Sequence, residues 1–407
     1  MATLNEQSRM ARILLLGGDS DANVGDTAIL LSLCQAIDRI RPGAQVTVLS
    51  NRRGLVDGLA RSGALPSGVR ALPRGPRGFA SLLHAAPRQD LIMVGGGGLF
   101  QDDDSRVKMP YWAARIALMR ALNRRIVGHS VGAGPLEHFE SRASARMACE
   151  SLRSVSVRDG FARKWLSDSI GRDVTVVPDP AFMLEPAPVA MGRALVSSVG
   201  LSPDQPYIAV ALRRWFHRRG GFIPHKIRAG LGFDRGEGKH EMERVRWDMA
   251  RTLRALSRRL DAQVLLMPSY HSAHEGDAGE CEQLLAQLGG VKSAVARIAD
   301  PALYKAVAGR ASLMISARMH PLILAAGMGV PIVGLAYNGK FDGVFNLLER
   351  QHGLLWLEDF RCGSRAKQLE KTALAALGEP NRLRDRAAHL ASLAFGATQE
   401  LVRGATA

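Results

Sequence analysis

The segment from Ala311 to Leu335 most constrains the fold. An apolar stretch over 311–315 leads into Ser316-Ala317-Arg318-Met319-His320-Pro321, and then into Leu322-Ile323-Leu324-Ala325-Ala326-Gly327-Met328-Gly329-Val330-Pro331-Ile332-Val333-Gly334-Leu335. This reads as a buried strand, a turn carrying a cation and an imidazole, an apolar helix, and a second buried strand. A strand that is apolar along its whole length needs cover on both faces, which is the condition of a parallel sheet flanked by helices. In such open sheets the crevice beyond the strand carboxyl ends is where ligands bind. A guanidinium and an imidazole placed there suit an anionic substrate that needs both charge recognition and proton transfer. An Arg paired with a carboxylate and a His satisfied by backbone would read the same way.

The same alternation runs through the chain. Strands are predicted over 12–16, 45–49, 69–72, 90–94, 124–128, 154–157 and 174–177, with helical periodicity between them over 26–40, 110–122 and 159–170. The stretch 184–206, with Glu185-Pro186-Ala187-Pro188 and Pro203, reads as a linker. Beyond it strands over 207–212, 263–267, 313–315 and 332–335 alternate with helices over 241–260, 279–288, 301–309, 321–329 and 341–350. At 407 residues the chain exceeds one ordinary core. The expected fold is therefore α/β, with two Rossmann-like doubly wound domains facing a cleft. The boundaries are an N-terminal domain over 1–185, a linker over 186–206, a C-terminal domain over 207–380 and a helical tail over 381–407.

Bulk properties exclude several classes. No apolar run approaches the roughly 20 residues that span a bilayer, and the apolar stretch over 13–16 is too short for a signal-peptide core. Cys34, Cys149, Cys281 and Cys362 lie far apart without CxxC spacing, so reduced thiols and a cytoplasmic location are expected. The net charge of +16 admits nucleic acid, an anionic membrane surface or acidic small substrates as partners. No aromatic-rich RNA-binding signature, zinc finger or basic tail accompanies it, and no nucleic acid is expected. The densest basic stretch, Arg213-Arg214-Trp215-Phe216-His217-Arg218-Arg219 continuing to Lys226 and Arg228, suits peripheral contact with the inner membrane face.

Two glycine-rich turns stand out. The loop Gly17-Gly18-Asp19-Ser20-Asp21-Ala22-Asn23-Val24-Gly25-Asp26 follows the first strand but does not match GxGxxG, and its carboxylates would repel a pyrophosphate. No acidic residue follows the second strand at Ser50-Asn51-Arg52, so no dinucleotide cofactor is expected, and Asp26 reads as a helix cap. Four successive glycines, Gly95-Gly96-Gly97-Gly98, are costly in conformational entropy, which implies that something approaches the backbone closely. Asp102-Asp103-Asp104 has the look of a metal-binding DxD, and His271, His274 and Asp277 form a second possible ligand set. Neither has a further clustered ligand, so no metal is expected.

Taken in order, these pieces resemble the polysaccharide pyruvyl transferase family. The matching stretches are Gly18-Asp19 with Asn23-Val24-Gly25-Asp26, Gly95 to Gly98 with Asp102, Gly132-Ala133-Gly134-Pro135 and Ser156-Val157-Arg158-Asp159. They continue through Pro178-Asp179-Pro180-Ala181-Phe182, Arg213-Arg214-Trp215, Arg318-Met319-His320, and Gly329-Val330-Pro331 with Tyr337 and Lys340. The resemblance implies a GT-B-like pair of domains, the first on the acceptor side and the second on the donor side. It implies transfer of a pyruvyl group from phosphoenolpyruvate onto a sugar, as a cyclic ketal, with phosphoenolpyruvate as co-substrate and no cofactor. It sets Arg158, Arg318, His320 and Lys340 against the donor, with Met319 and Arg213 beside them. On the saccharide side it places Asn23, Asp26, Gly97, Gly98, Asp102 and His129. His129-Ser130-Val131 stands where many members carry a Gln-containing stretch, a departure that touches acceptor recognition.

The residues support that chemistry. Guanidinium groups bind planar carboxylate and phosphate bidentately, and an ammonium can follow the leaving phosphate. A histidine titrates near neutrality and can act as general acid toward the methylene carbon. Asp102 is the candidate base for the sugar hydroxyls. Two rivals remain: a GT-B glycosyltransferase using a nucleotide sugar, which lacks a carboxylate for the ribose near 334–340, and a basic nucleic-acid or envelope-binding protein, which leaves the Arg-Met-His turn unexplained.

Overall fold

The computed structural model describes residues 10–17, 22–50, 53–61, 63–73, 76–103, 105–215, 238–271, 276–378 and 380–406. These residues divide into two compact units: 10–17, 26–184 and 391–406, and 22–25 with 185–390.

The first unit is built on β1 (Arg12–Leu16), α1 (Val24–Ile40), β2 (Gln45–Leu49), α2 (Arg53–Arg61), β3 (Val69–Leu72), α3 (Pro76–Ala85), β4 (Leu91–Gly95), β5 (Gly98–Phe100), α4 (Lys108–Leu122), β6 (Ile126–Ala133), α5 (Phe139–Ser151), β7 (Val155–Val157), α6 (Gly160–Ile170) and β8 (Thr175–Val176). Its sheet runs β3-β2-β1-β4-β6-β7-β8, with β5 pairing β6, and each pairing is parallel. Leu14, Leu16, Ile92, Val94 and Ile126 form its centre, packed against Met109, Ile116 and Ala145 of the covering helices. Local chemistry sets the helix ends. Asp159 accepts from Ala162 N to start α6, and Gly171 in the left-handed region closes it.

The second unit continues with α7 (Val189–Ser198), β9 (Tyr207–Ala211), α8 (Lys239–Leu260), β10 (Gln263–Leu266), α9 (Ala278–Gln287), β11 (Ser293–Val295), α10 (Pro301–Ala308), β12 (Leu313–Ser316), α11 (Met319–Ala326), β13 (Ile332–Ala336), α12 (Lys340–Leu347), β14 (Leu354–Trp356), α13 (Ala366–Ala376) and α14 (Pro380–Thr406). Strand order is β11-β10-β9-β12-β13-β14, all parallel. That order reverses direction between β9 and β12, which is the topological switch point of a doubly wound sheet. Ile208, Val210, Leu266, Ile315 and Val333 are buried at its centre against Val245, Met249 and Leu253 of α8.

The segment 186–206, read as a linker, holds a helix: α7 begins directly after Pro188 and buries Gly192 and Val196, with Gly192 against Ala306 of α10. A proline cannot continue a helix from its own position inward but is well placed ahead of one. The region set apart as a tail over 381–407 is part of one continuous helix from Pro380, whose last residues, 391–407, belong to the first unit.

Candidate active site

The second unit gathers most of the chemistry at the carboxyl ends of its central strands. β9 and β12 lie side by side, with Ser316 in register with Ala211, so the residues that follow them emerge together at the switch point. Arg213 follows β9, Arg318 follows β12, Tyr270 and Asp277 follow β10, and Tyr337 and Lys340 follow β13.

Asp277 organises this end of the sheet. It is 1% exposed, and Arg318 donates to it from Nε (3.0 Å to Oδ2) and Nη2 (to Oδ1, at 2.5 Å). Oδ2 also accepts from the backbone N–H groups of Ser269 (3.3 Å) and Tyr270 (3.0 Å). Two edges of one carboxylate thus hold a loop and a guanidinium in fixed relation. Tyr270 lies under the guanidinium, its ring centroid 5.1 Å from Arg318 Cζ. Burial alone would lower the Arg318 guanidinium, but the charge and hydrogen bonds of Asp277 outweigh it and hold it above its ordinary value. Among the described residues nothing hydrogen-bonds its Nη1 edge.

Arg213 is held differently. Its Cζ sits 4.3 Å from the Tyr337 ring centroid and 5.3 Å from that of Trp215, and the two rings are 4.4 Å apart. Burial and the like charge of Arg318 lower its guanidinium from the ordinary value. Arg213 and Arg318 both feel the single carboxylate of Asp277, so the pair carries more positive charge than that carboxylate answers.

His320 is the one polar side chain of α11, whose other residues are all buried. It stands in the first turn, partly exposed, and Arg318 at the N-cap supplies no capping side chain to that turn. The loop ahead of α1 packs beside it. Val24 N donates to Ser269 O (2.9 Å), His271 N donates to Ala22 O (2.7 Å), and Asn23 forms a bridge with Tyr270. A β-carbon placed on Gly25 would lie 2.0 Å from His320 Nδ1. The Asn23-Val24-Gly25 stretch and the Arg318-Met319-His320 turn, nearly 300 residues apart in sequence, are therefore neighbours. Lys340 opens α12, partly exposed, with its N–H on Asn338 Oδ1 at 3.3 Å.

The remaining sequence-predicted residues lie in the first unit or serve structure. Arg158 is 3% exposed, with Nε on Asp159 (3.2 Å) and Nη1 on Asp179 (3.4 Å). Those carboxylates also cap α6 and the turn at Pro180–Met183. The guanidinium packs on Gly132, and Gly132 N donates to Gly97 O at 3.0 Å. Its charge is paired inside the fold with Asp159 and Asp179. Asp102 is buried, and its two oxygens accept from Glu137 N (3.2 Å) and His138 N (3.0 Å). His129 is buried within β6 on Thr398 Oγ1, not facing a saccharide. Met319 is buried, leaving only its main chain to offer. Asn23 accepts from Gly25 N at 3.0 Å, so the cap at this turn comes from Asn23, and Asp26 is the third residue of α1 rather than its cap.

The glycine run has a mostly internal explanation. A β-carbon on Gly95 would lie 1.9 Å from His129 O; Gly96 and Gly97 have φ of +77° and +86°. Gly97 meets the Asp26 carboxylate, 2.9 Å from where its β-carbon would be, and Gly98 opens β5. Backbone and Asp26 make close approaches at these positions. His271 Nε2 lies 2.9 Å from Ile298 O, and Asp277 serves Arg318. Gly18, Asp19, Asp21, Asp104, His274 and the basic stretch over 216–237 lie outside the described residues.

A family model described as polysaccharide pyruvyl transferase matches residues 23–339. No curated protein matches. Among solved structures, a glycosyltransferase from Rickettsia africae is 12% identical with a TM-score of 0.57, covering 98% of this chain and 99% of its own. Anabaena Alr3699/HepE, solved with UDP and glucose, is 14% identical with a TM-score of 0.57 over 97% and 99% of the two chains. UDP-GlcNAc 2-epimerase from Neisseria meningitidis, bound to UDP-GlcNAc, is 9% identical with a TM-score of 0.56 over 97% and 99%. At these identities the likeness is one of fold, and it places the two parallel α/β units in the GT-B-like class.

Proposed function

The chain belongs to the polysaccharide pyruvyl transferase family, and from that premise we propose that it moves a pyruvyl group from phosphoenolpyruvate onto a sugar. The acceptor is a saccharide of a polysaccharide or of its lipid-linked precursor, and the product is a cyclic ketal with release of phosphate. The observation that supports this best is the excess of cation at the switch point of the second unit, beside a histidine. Phosphoenolpyruvate carries a carboxylate and a phosphate, and Arg213, the Nη1 edge of Arg318, Lys340 and the uncapped first turn of α11 offer what those anions need.

In this reading His320 gives a proton to the methylene carbon, which becomes the methyl group. The adjacent carbon turns electrophilic, and one sugar hydroxyl oxygen bonds to it. The bond to the phosphate oxygen then breaks, and the second hydroxyl closes the ring. Of the two hydroxyl protons, one leaves on phosphate and the other returns His320 to its starting state. Arg213, Arg318 and Lys340 stabilise the charge that collects on the leaving phosphate, and no metal is needed for that role.

The test is direct. Purified protein is incubated with phosphoenolpyruvate and a panel of synthetic and lipid-linked glycosides, and products are read by mass spectrometry with phosphate release alongside. A pyruvyl mass increment with matching phosphate is expected. Transfer of a glycosyl unit from a nucleotide sugar, with no reaction of phosphoenolpyruvate, would replace this reading by the glycosyltransferase one.

A further inference from the structure

Helices α4 and α5 of the first unit turn an apolar and basic face to solvent. Among the described residues, four of the ten exposed large hydrophobic side chains belong to this pair or the residue before it: Val107 (45%), Tyr111 (57%), Phe139 (84%) and Met147 (45%). The two helices pack on each other, and Arg106 Nε donates to Glu140 Oε1 at 2.7 Å, which joins the start of α4, where Val107 stands, to the start of α5, where Phe139 stands. Tyr111 follows one turn along α4, and Met147 two turns along α5.

The charge around these residues is mostly positive. α4 carries Lys108, Arg115 and Arg120 and no carboxylate. On α5, Arg142 and Arg146 are exposed, with Arg142 Nε on Leu136 O and Arg146 Nη2 on Ser169 O. Glu140 is paired with Arg106, and Glu137 and Glu150 are the exposed carboxylates at the two ends of α5. The Arg115 guanidinium stacks 5.3 Å from the Trp112 ring and donates to Tyr111 Oη, holding its charge at the level of the apolar side chains. An area of large apolar groups on a monomer surface marks an interaction site.

We infer that the α4–α5 face is a docking surface for an anionic lipid bilayer. A second copy of the chain fits it poorly, because a two-fold contact would bring together two faces of the same net positive charge. A phenyl ring as exposed as Phe139, standing proud rather than lining a groove, needs a partner that yields around it. A headgroup layer does so, with aromatic and aliphatic groups entering the interface and basic groups meeting lipid phosphate. The inference stands apart from the catalytic reading, since it concerns neither donor nor acceptor chemistry, though it would bring the enzyme to a lipid-linked saccharide.

The test is sedimentation of the full-length protein with extruded vesicles, in the absence of donor and acceptor. The protein should pellet with phosphatidylglycerol-containing vesicles and stay in solution with pure phosphatidylcholine, and raising salt should weaken binding. Phe139→Ser/Met147→Ser should lower the partition coefficient on the order of tenfold or more. Arg142→Gln/Arg146→Gln should lower it about thirtyfold. Thermal melts and turnover on a soluble glycoside should be unchanged in both variants, which separates surface from site. Failure of the unaltered protein to bind anionic vesicles overturns the inference, as does native binding by both variants. So does a dimer in solution that the Phe139→Ser/Met147→Ser variant dissolves while vesicle binding is unaffected.

Discussion

Gly25 and His320 are packed so closely that no side chain fits between them: a β-carbon on residue 25 would stand 2.0 Å from Nδ1 and 2.2 Å from Cγ of the imidazole. Gly25 lies in the first turn of α1, where alanine would ordinarily favour the helix by about 1 kcal/mol. Here that preference loses, because the ring must move to admit one methyl group. Gly25→Ala should therefore keep its fold and lose turnover on the order of a hundredfold, the usual contribution of a general acid displaced from its place. Turnover measured beside a thermal melt decides it. Native turnover in Gly25→Ala would show that the ring position does not matter.

Asp277 holds Arg318 through two donors and the 269–270 loop through two backbone N–H groups. Arg318→Lys retains the charge but loses the planar fork, and should raise the KM for phosphoenolpyruvate more than that for the acceptor. Asp277→Asn removes the charge that answers Arg318 and should cost about 3 kcal/mol of stability, with a donor KM shift in the same direction. Steady-state kinetics in both substrates distinguish the two effects. Equal shifts for donor and acceptor in Arg318→Lys would place Arg318 outside the donor site.

Arg158 answers to stability first. Its guanidinium is buried between Asp159 and Asp179, and burial raises the Asp159 carboxyl from its ordinary value. Removing the cation takes away the buried partner that Asp159 and Asp179 share, so Arg158→Ala should destabilise by about 3–5 kcal/mol. Denaturant titration is the measurement. A variant of native stability whose donor KM alone has risen would return Arg158 to the donor.

His129 gives the molecule an acid-sensitive point. Thr398 Oγ1 donates to Ala394 O (2.8 Å), so it accepts from His129 Nε2–H (3.0 Å), and Nδ1 is left buried with no hydrogen-bond partner among the described residues. Burial lowers the imidazole from 6.5 to about 4. The folded state thus binds this proton less readily than the unfolded chain. The sign follows: stability is full above the unfolded value near 6.5 and is lost as pH falls from there toward about 4. The loss from this group is about 3 kcal/mol. His129→Leu should remove that part of the acid limb, as read by denaturant melts at pH 7, 5.5 and 4.5. Parallel acid limbs in the two proteins would discard the assignment.

The strands were legible because each is a short aliphatic run between breakers, and a parallel sheet demands such runs. The order of Arg213 and Arg318 at the switch point was legible in part, since both follow strands, but their adjacency comes from β9 and β12 pairing over 100 residues apart. Asp277 could be read only as a stray ligand, because its partner Arg318 is 41 positions away and no local pattern joins them. α7 was hidden by the prolines ahead of it and by Gly192 within it. Gly25 went unremarked as a packing glycine because what it touches is a ring in another part of the sequence. The run Gly95 to Gly98 pointed to close approach correctly, but the approaching groups are His129 O and Asp26 of the protein itself.

His320 carries the sharpest prediction. It is the polar residue of an otherwise buried helix, held by Gly25 at the open first turn, beside a guanidinium anchored on Asp277. If it delivers the proton to the methylene carbon, His320→Gln should lose on the order of a hundredfold or more in turnover. Folding should survive, because the side chain is partly exposed and contributes little to the core. Donor affinity should fall less than turnover, since Arg213, Arg318 and Lys340 remain to hold the anion. The deciding readout is deuterium from solvent in the pyruvyl methyl group, followed by mass spectrometry through single turnovers. The native enzyme should place one deuteron there at the rate of ketal formation, and His320→Gln should slow both together. Label entering at the native rate in the variant would mean that another group supplies the proton, and that His320 serves only to pack against Gly25.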